Sequence, residues 1–448
     1  MKELRRADPS LQKILPPQKI NPSGEYVRSM FALPYEHGGE RVWFHTLTRQ
    51  LVGGVPDIPE RISGEKIAAA PELFELTRSY FMAPAGKDES AFYAGLFRIL
   101  NTMTLKKGVM GYMILPTTAC NARCVYCFEQ GRRQETMTAE TAEQVVRYIR
   151  DTKGKGEIEI GWFGGEPLAA VPVIDRISEG LRAEGIPFAS YMVTNGSLIT
   201  EEIADRMKDA WKIRNVQVSM DGNEEDYIAR KCYVSSGDHY HTVLRNIRLL
   251  ADRGIQVLVR CNTDGYNLPG TEEFLADLAA AVPDKRNVDV RFSLLDQVRD
   301  TDREIEVRKQ MLGTREKIRS FGFEGKDGRF RIPDLRRYFC MADRGSVVIA
   351  PDGALYACGA CREGSRVGHL TENPDTSEAR SRLCTLVRHQ SECGACPYLP
   401  ECTPYAFCAQ RSPKCRERRA LQVETQVRAF LEGENAGEED MIPSEDER

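Results

Sequence analysis

The sequence predicts an α/β protein built on a partial (β/α)6 barrel, with a small α+β region before it and a cysteine-rich region after it. Three observations predict this arrangement. From residue 110 to about 295, six apolar strand-like runs alternate with helical stretches. The first 105 residues contain no cysteine, and nine of the fourteen cysteines lie between residues 340 and 415. Alternating strands and helices imply right-handed crossovers and a parallel sheet.

The composition is ordinary for a globular protein with room for two or three domains. The 448 residues are 41% hydrophobic and 29% charged, and 62 basic against 66 acidic residues give a formal charge of -4. Nothing global therefore points to nucleic acid or to an anionic membrane as a partner. Residues 1–30 lack the apolar core of a signal peptide, and no run approaches the roughly 18 apolar residues of a spanning helix. The sequence predicts a cytoplasmic protein.

Residues 1–105 form the predicted N-terminal domain. The runs at 41–48 and 51–54 predict two short strands joined by a turn, and apolar residues recur at helical spacing in 71–82 and 90–102. The edge of such a small sheet could accept an extended leader peptide as an added strand. A plain accessory domain that packs against the barrel fits the same pattern.

The barrel domain is predicted at 106–320. Its strands are expected at 111–116, 157–163, 188–193, 215–220, 255–262 and 287–294. Its helices are expected at about 138–151, 168–184, 200–211, 239–253 and 270–281, followed by a polar helix at about 301–319. In parallel α/β folds the active site lies at the carboxyl ends of the strands. Residues that follow these strands are therefore candidates for a site.

Three cysteines follow the first strand. Cys120, Cys124 and Cys127 are spaced C-x3-C-x2-C after the helix breaker Pro116. Thiolates this close together can hold one side of an iron–sulfur cubane, which usually takes four, so one iron would stay open for a substrate or cofactor. Three buried thiols, or three quarters of a zinc site, are the competing interpretations.

Further candidates follow the next three strands. They are Gly164, Gly165, Glu166 and Pro167 after the second strand, Thr194 and Asn195 after the third, and Ser219 at the end of the fourth. The glycines permit a close backbone approach, and the glutamate offers a carboxylate to an ammonium. Glycine turns are common at such junctions, but these residues all fall at the same end of the sheet as the thiols.

The three-cysteine spacing, followed by Phe128 and later by the 164–167 turn, resembles the radical S-adenosylmethionine (SAM) superfamily. The resemblance implies that Cys120, Cys124 and Cys127 hold a 4Fe-4S cluster whose open iron chelates the amino and carboxylate groups of S-adenosyl-L-methionine. One electron from the reduced cluster would then cleave this cofactor to methionine and a 5'-deoxyadenosyl radical, which removes a hydrogen atom from an unactivated carbon.

The same resemblance implies roles for single residues. The 164–167 turn would bind the amino group of SAM, and Ser219 and Arg230 would hold its carboxylate. Tyr126 resembles the aromatic residue that lies along the adenine. An external electron donor such as flavodoxin or ferredoxin is expected as a partner.

A second group of cysteines begins at residue 340. Residues 346–350 and 354–358 read as a β-hairpin that ends in a thiol. The cysteines of this region are Cys340, Cys358, Cys361, Cys384, Cys393, Cys396, Cys402, Cys408 and Cys415. Their pattern resembles the SPASM extension of radical enzymes that act on peptides, although the gap between Cys402 and Cys408 is five residues where the common pattern has three.

The SPASM resemblance implies two auxiliary 4Fe-4S clusters. One would lie near Cys340, Cys358 and Cys408, and either Cys361 or Cys384 could complete it or leave it with an open iron. The other would be held by Cys393, Cys396, Cys402 and Cys415. Zinc is the competing interpretation for a C-x2-C pair with two more thiols. This domain is expected at 321–420, before a helix at about 416–433 and an acidic tail within 421–448.

The predicted function is maturation of a ribosomally made precursor peptide, by installing a thioether or carbon–carbon cross-link. Auxiliary clusters beside the reaction centre favour a net oxidation, because one of them could accept the substrate's electron. The first alternative is an anaerobic sulfatase maturase, which oxidises Ser or Cys to formylglycine; those enzymes carry an aspartate where Gly359 follows Cys358 here. The second is a non-catalytic electron-transfer or zinc scaffold, which would not need the 164–167 turn or Arg230.

Overall fold

The computed structural model describes most of the chain. The described residues are 2–8, 11, 14–55, 57–105, 109–298, 303–323, 335, 345–372, 376, 378, 391–402 and 415–434. Cys340, Cys384, Cys408 and the acidic tail, for which the sequence made predictions, lie outside them.

The N-terminal region contains two small antiparallel sheets. Their strands are β1 (Lys2–Arg5), β2 (Glu25–Arg28), β3 (Ala32–His37), β4 (Glu40–His45), β5 (Leu51–Gly53), β6 (Arg61–Ser63) and β7 (Met82–Pro84). One sheet has the order β1-β5-β4-β3 and the other β6-β2-β7. The predicted strand pair is confirmed as β4 and β5, which pair antiparallel. Strand β1 was not predicted, because its four residues are mostly charged.

Among the described residues of this region, three helices accompany these sheets. They are α1 (Gly64–Ala69), α2 (Pro71–Arg78) and α3 (Glu89–Leu105). The Ser63 side chain accepts a hydrogen bond from the amide of Lys66 and so caps α1, and α2 begins with Pro71, a residue suited to the first helical turn. Both predicted helices of this region are confirmed, with α2 ending four residues early.

The central sheet follows the predicted alternation of strands and helices. Its parallel strands are β8 (Gly111–Thr117), β9 (Ile158–Gly164), β10 (Phe188–Thr194), β11 (Ile213–Ser219), β12 (Gln256–Thr263) and β13 (Val288–Leu294). The helices are α4 (Ala139–Thr152), α5 (Val171–Ala183), α6 (Glu201–Asp209), α7 (Glu224–Lys231), α8 (His239–Asp252), α9 (Thr271–Ala281) and α10 (Glu304–Ser320). The six strands and their helices are confirmed within about three residues. Helix α7 was not predicted.

The sheet continues beyond the six predicted strands. The C-terminal hairpin is confirmed as β14 (Ser346–Ile349) and β15 (Ala354–Tyr356), and β16 (Arg366–His369) pairs with β15. Strand β14 also pairs in parallel with β8, so the order is β13-β12-β11-β10-β9-β8-β14-β15-β16. Within the described residues the sheet stays open, as expected for a partial barrel. The cysteine-rich hairpin is thereby part of the barrel sheet.

The main hydrophobic core lies between this sheet and its helices. Trp162 on β9 and Trp211 before β11 are fully buried within it. Parallel strands covered by helices are buried on both faces, which explains the nearly continuous apolar runs in the sequence. Side-chain caps at Thr138, Thr200 and Asp238 fix where α4, α6 and α8 begin.

The first and last parts of the described chain pack together. Helix α11 (Cys415–Glu434) confirms the predicted C-terminal helix. Its Val423, Val427 and Leu431 form one buried cluster with side chains of β4 and β5. The N-terminal sheet is therefore covered by a helix that begins at a candidate metal ligand.

A buried ion pair strengthens this junction. Arg49, in the turn between β4 and β5, contacts Glu401, and the two side chains are 0% and 1% exposed. The Thr46 hydroxyl donates to the carbonyl of Pro397 at 2.6 Å. Both acceptors lie in the segment that carries Cys393, Cys396 and Cys402. None of the helices that the structure describes is long and apolar enough to cross a membrane.

Candidate functional site

A cavity of about 420 Å³ opens at the carboxyl ends of the parallel strands. Its size lies within the usual range of small-molecule sites. The predicted residues that border it are Cys120, Cys124, Tyr126, Cys127, Gly164, Gly165, Thr194, Asn195 and Ser219. The rest of its wall includes apolar side chains such as Phe128, Phe163 and Leu295. The structure thus brings together residues that follow four different strands, at the predicted end of the sheet.

The loop that carries the three thiols is held by its main chain. The amide of Arg123 donates to the carbonyls of Lys231 and Cys232, at 3.1 and 2.9 Å, and the amide of Val125 donates to the carbonyl of Arg230 at 3.0 Å. Within the loop, the amide of Cys127 donates to the carbonyl of Cys124 at 3.1 Å. The end of helix α7 therefore fixes the loop in place.

Two glycines let the second strand approach this loop. A Cβ at Gly165 would lie 2.4 Å from the carbonyl oxygen of Ala119 and 2.5 Å from that of Thr118. At Gly164, φ is +122°, and a Cβ would lie 2.3 Å from the carbonyl oxygen of Thr117. Both contacts are too short for any other residue. Because the two segments are this close, the amide of Gly165 donates to the carbonyl of Thr117 and the amide of Glu166 to that of Ala119.

Glu166 lies behind the cavity wall. Its side chain is fully buried and accepts hydrogen bonds from the amide of Leu168, the hydroxyl of Thr194 and the amide of Asn195, at 3.1, 2.7 and 2.8 Å. Burial raises its pKa, and these hydrogen bonds oppose that rise. The glutamate thereby ties the end of β10 to the glycine turn. Pro167 is also buried and begins the 3-10 helix that follows.

Asn195 extends this arrangement to the thiol loop. Its side-chain amide donates to the side-chain oxygen of Asn121 at 2.8 Å and lies 4.0 Å from the sulfur of Cys120. The Asn121 amide in turn donates to the hydroxyl of Ser197 at 2.9 Å. The loop is consequently held from β10 as well as from α7.

Tyr126 joins a buried polar network. Its hydroxyl donates to the carboxylate of Asp221 and accepts from the ammonium of Lys231 at 3.0 Å and from the amide of Asn262 at 3.1 Å. Lys231 and Asp221 also form an ion pair at 3.1 Å, with side chains 3% and 0% exposed. Burial alone would lower the pKa of Lys231, but Asp221 and the Tyr126 hydroxyl hold it above its usual value. Lys231 is therefore a fixed cation beside the thiol loop.

Arg230 lies next to this network. Its guanidinium contacts both oxygens of Asp264, at 3.1 and 3.2 Å, and lies 5.5 Å from the centre of the Tyr126 ring. Its side chain is 10% exposed. Among the described residues, those that border the cavity include Ser219 and Tyr126 but not Arg230. Arg230 thus stands one layer outside the cavity in this structure.

The thiols fit the metal cluster that the sequence implies. Burial raises the pKa of Cys124 to about 11 and raises that of Cys120 above its usual value. A bound metal cation reverses this effect and holds such ligands as thiolates. The cavity offers three soft ligands from one loop, in agreement with an iron–sulfur cluster that keeps one iron open.

A second group of thiols is gathered in the C-terminal region. Burial raises the pKa of Cys402 to about 11, and the nearby thiols of Cys415, Cys393 and Cys396 add to this rise. Four thiols in one place match the ligand number of a cubane or of a structural zinc. Cys358 and Cys361 form a separate turn, in which the amide of Cys361 donates to the carbonyl of Cys358 at 2.8 Å.

Known proteins share sequence similarity with the domain that carries the three-thiol loop. The sequence profile of the Radical SAM superfamily matches residues 114–279, which cover the three thiols and strands β9 to β12. The chain contains a radical SAM domain. The predicted superfamily resemblance is confirmed.

Curated relatives of the radical SAM domain match only part of their own length. An uncharacterized protein of Methanocaldococcus jannaschii is 30% identical over 176 residues, which are 38% of this chain and 59% of that protein. The radical SAM cyclopropyl synthase TigE of Paramaledivibacter caminithermalis is 29% identical over 129 residues, 25% of this chain and 27% of TigE. The chain thus spans 59% of the length of the first relative and 27% of the second.

Solved structures share the fold over more of the chain. The enzyme anSMEcpe with bound AdoMet aligns with a TM-score of 0.56 at 16% identity, covering 73% of this chain and 99% of its own. SuiB of Streptococcus suis, bound to the precursor peptide SuiA, aligns with a TM-score of 0.51 at 12% identity, covering 86% and 95%. At these identities the likeness is one of fold.

The structure adds site residues of the radical SAM domain that the sequence did not single out. They are Asn121, Asp221, Lys231, Asn262 and Asp264. Asp221 and Asp264 stand just after the fourth and fifth strands, and Asn262 is the penultimate residue of the fifth. These positions at strand ends could have marked the three residues, but the partners of the five are 10 to 136 residues away in the sequence.

Replacement of Lys231 by methionine is expected to destabilise the radical SAM domain. Asp221 would be left buried without its partner, and breaking a buried ion pair costs about 3–5 kcal/mol. The melting temperature should fall by several degrees. Lys317→Met, which breaks the exposed pair with Glu272 at 2.8 Å, should lower the melting temperature much less, because solvent screens exposed ion pairs. Equal shifts in the two variants would contradict the role of the buried pair.

Proposed function

We propose that this chain is a SPASM-type radical SAM maturase that installs a thioether or carbon–carbon cross-link in a ribosomally made precursor peptide. The observation that carries the proposal is the presence of two separate thiol groups. Three thiols border the cavity of the radical SAM domain, and four more gather in the C-terminal region. An enzyme that cleaves SAM without oxidising its substrate needs only the first group.

The proposed cofactors are S-adenosyl-L-methionine and three 4Fe-4S clusters, one at Cys120, Cys124 and Cys127 and two auxiliary. When bound and reduced, the first cluster and SAM would supply hydrogen-atom abstraction from an unactivated carbon. The thiol loop would hold that cluster, and the glycine turn would leave room for SAM beside it. Phe128 and Phe163, whose rings stack 6.2 Å apart, would exclude water from the reacting carbon.

A peptide substrate is supported by the fold comparison. SuiB, which shares the fold over most of both chains, is described with a bound precursor peptide. We propose residues 1–105 as the region that takes up a leader peptide, 106–320 as the radical SAM core and 321–420 as the auxiliary-cluster region. A flavodoxin or ferredoxin would deliver the electron in the cytoplasm, where thiols stay reduced.

Formylglycine formation is the less favoured outcome. Gly359 follows Cys358, so this position offers no carboxylate to take a proton from a Ser or Cys substrate. Gly359 also packs against Met113: a Cβ there would lie 3.2 Å from the methionine sulfur. A larger acidic side chain at this position would need that neighbour to move.

The test uses short peptides encoded beside the gene. Anaerobically reconstituted protein is incubated with each synthetic peptide, SAM and dithionite, and the product is analysed by tandem mass spectrometry. A cross-link should remove two hydrogen atoms and suppress fragmentation between the linked residues. A product that reacts with a hydrazide probe would indicate an aldehyde and favour formylglycine. Iron no higher than one cubane can hold would contradict the auxiliary clusters.

A further inference from the structure

Arg132 connects the thiol loop with the second cysteine region. It follows Cys127 by five residues, borders the cavity and has a side chain that is 31% exposed. Its Nη1 contacts the carboxylate of Glu129 at 3.2 Å. That glutamate is 6% exposed, so the ion pair is anchored in the protein rather than in solvent. The guanidinium is therefore held in one orientation.

The other end of the guanidinium reaches the turn between two cysteines. Nη2 donates to the carbonyl of Ala360, which stands between Cys358 and Cys361. The guanidinium thus contacts Glu129 through Nη1 and the turn through Nη2 at the same time. A planar fork with several donors suits such a double contact, which a lysine ammonium could not reproduce from the same place. One side chain thus joins both cysteine regions.

The turn needs an external restraint. Cys361 has φ of +45°, a left-handed conformation that residues with a side chain rarely adopt. Its own amide bond to Cys358 closes the turn, and the bond from Arg132 to the carbonyl of Ala360 ties the turn to the segment that follows the thiol loop. Without this bond the Cys361 sulfur could turn away from its present place.

We propose that Arg132 is a positioning residue that fixes Cys361 as a ligand of the first auxiliary cluster and raises the reduction potential of that cluster. The inference rests on the proposed function, which supplies the cluster. Partners near a ligand control its orientation, and the charge around a cluster is among the factors that set its potential. The positive charge of Arg132, held at the residue before Cys361, favours the more electron-rich, reduced form.

The test is done in a protein that lacks the radical SAM cluster. In a Cys120→Ala, Cys124→Ala, Cys127→Ala background, all bound iron belongs to the auxiliary clusters. Arg132→Met, Arg132→Lys and Cys361→Ala are compared with Arg133→Met, a matched control. Arg133 is the next residue, with a side chain 86% exposed and paired with Glu135. Iron content, iron release to a chelator and EPR-monitored redox titration are measured.

We expect Arg132→Met to release iron about 10-fold faster or more, because losing a partner of a metal ligand usually weakens binding about 10- to 100-fold. One auxiliary potential should become more negative. Arg132→Lys keeps the charge, so its rate of iron release and its auxiliary potential should lie between those of Arg132→Met and those of the protein with Arg132 unchanged. Arg133→Met should leave both quantities unchanged. Cys361→Ala should lower the iron content.

Three results would overturn the inference. Unchanged potentials and iron release in Arg132→Met would remove the role of Arg132, while leaving the auxiliary clusters in place. Full iron content with an unaltered potential in Cys361→Ala would show that this sulfur is not a ligand. No iron in the background protein would overturn the auxiliary clusters themselves, and with them both the proposed function and this inference.

Discussion

Replacement of Cys120, Cys124 and Cys127 by alanine is expected to abolish reductive cleavage of SAM while iron remains bound elsewhere in the chain. These thiols are the three that border the cavity of the radical SAM domain. The C-terminal thiols form a separate group, so their metal should be retained. Release of 5'-deoxyadenosine in the presence of dithionite, measured by chromatography, should fall to background, and iron should fall by about one cluster.

The matched control is Cys232→Ala. Cys232 is exposed, and its main-chain carbonyl accepts a hydrogen bond from the amide of Arg123 in the thiol loop. Because the substitution keeps that carbonyl, cleavage and iron content should match the unsubstituted protein. Continued cleavage in the triple variant would overturn the assignment of the cavity thiols. Loss of all iron in that variant would instead show that the C-terminal thiols do not form an independent centre.

Gly165→Ala is expected to lower the rate of SAM cleavage roughly 100-fold, because misplacing reacting groups by about 1 Å can cost that much. The new methyl group would lie 2.4 and 2.5 Å from the carbonyl oxygens of Ala119 and Thr118, which connect β8 to Cys120. Both neighbours are backbone atoms, so the loop itself must move. Iron should still bind to the C-terminal thiols. The measurement is 5'-deoxyadenosine release under saturating SAM.

The control for this variant is Gly313→Ala. Gly313 lies in helix α10, and a Cβ there would meet nothing within 4 Å. Alanine in a helix interior is favoured over glycine by about 0.5–1 kcal/mol, so this variant should be slightly more stable and equally active. If Gly165→Ala cleaved SAM as fast as Gly313→Ala, the close approach of the two strands would not matter for the site.

Local patterns predicted the elements of the fold better than their pairing. The six parallel strands are apolar runs, and their helices have regular apolar spacing, so both could be recognised. Helix α7 could not, because its eight residues begin with three acidic side chains and show no clear apolar period. The pairing of β14 with β8 joins residues 235 positions apart, Ser346 and Gly111, and no local signal specifies it.

The candidate site shows the same division. The three thiols and the two glycines were found from short motifs, because all the residues of each motif lie within a few positions of one another in the sequence. The buried partners were not, since the environment of Tyr126 depends on Asp221, Lys231 and Asn262, which come from three other elements. Glu166 was noticed as a carboxylate for a ligand, yet its hydrogen bonds to Leu168, Thr194 and Asn195 depend on the fold.

The packing of helix α11 on the N-terminal sheet has a consequence for synthesis in the cell. Leu51 emerges from the ribosome 372 residues before Val423, the first of its α11 partners. At about 5–20 residues per second this delay is roughly 20–75 s. During that time Val42, Phe44 and Leu51 of β4 and β5 lack the helix that buries them in the folded chain. The nascent chain is therefore a candidate client for chaperones until translation has passed residue 431.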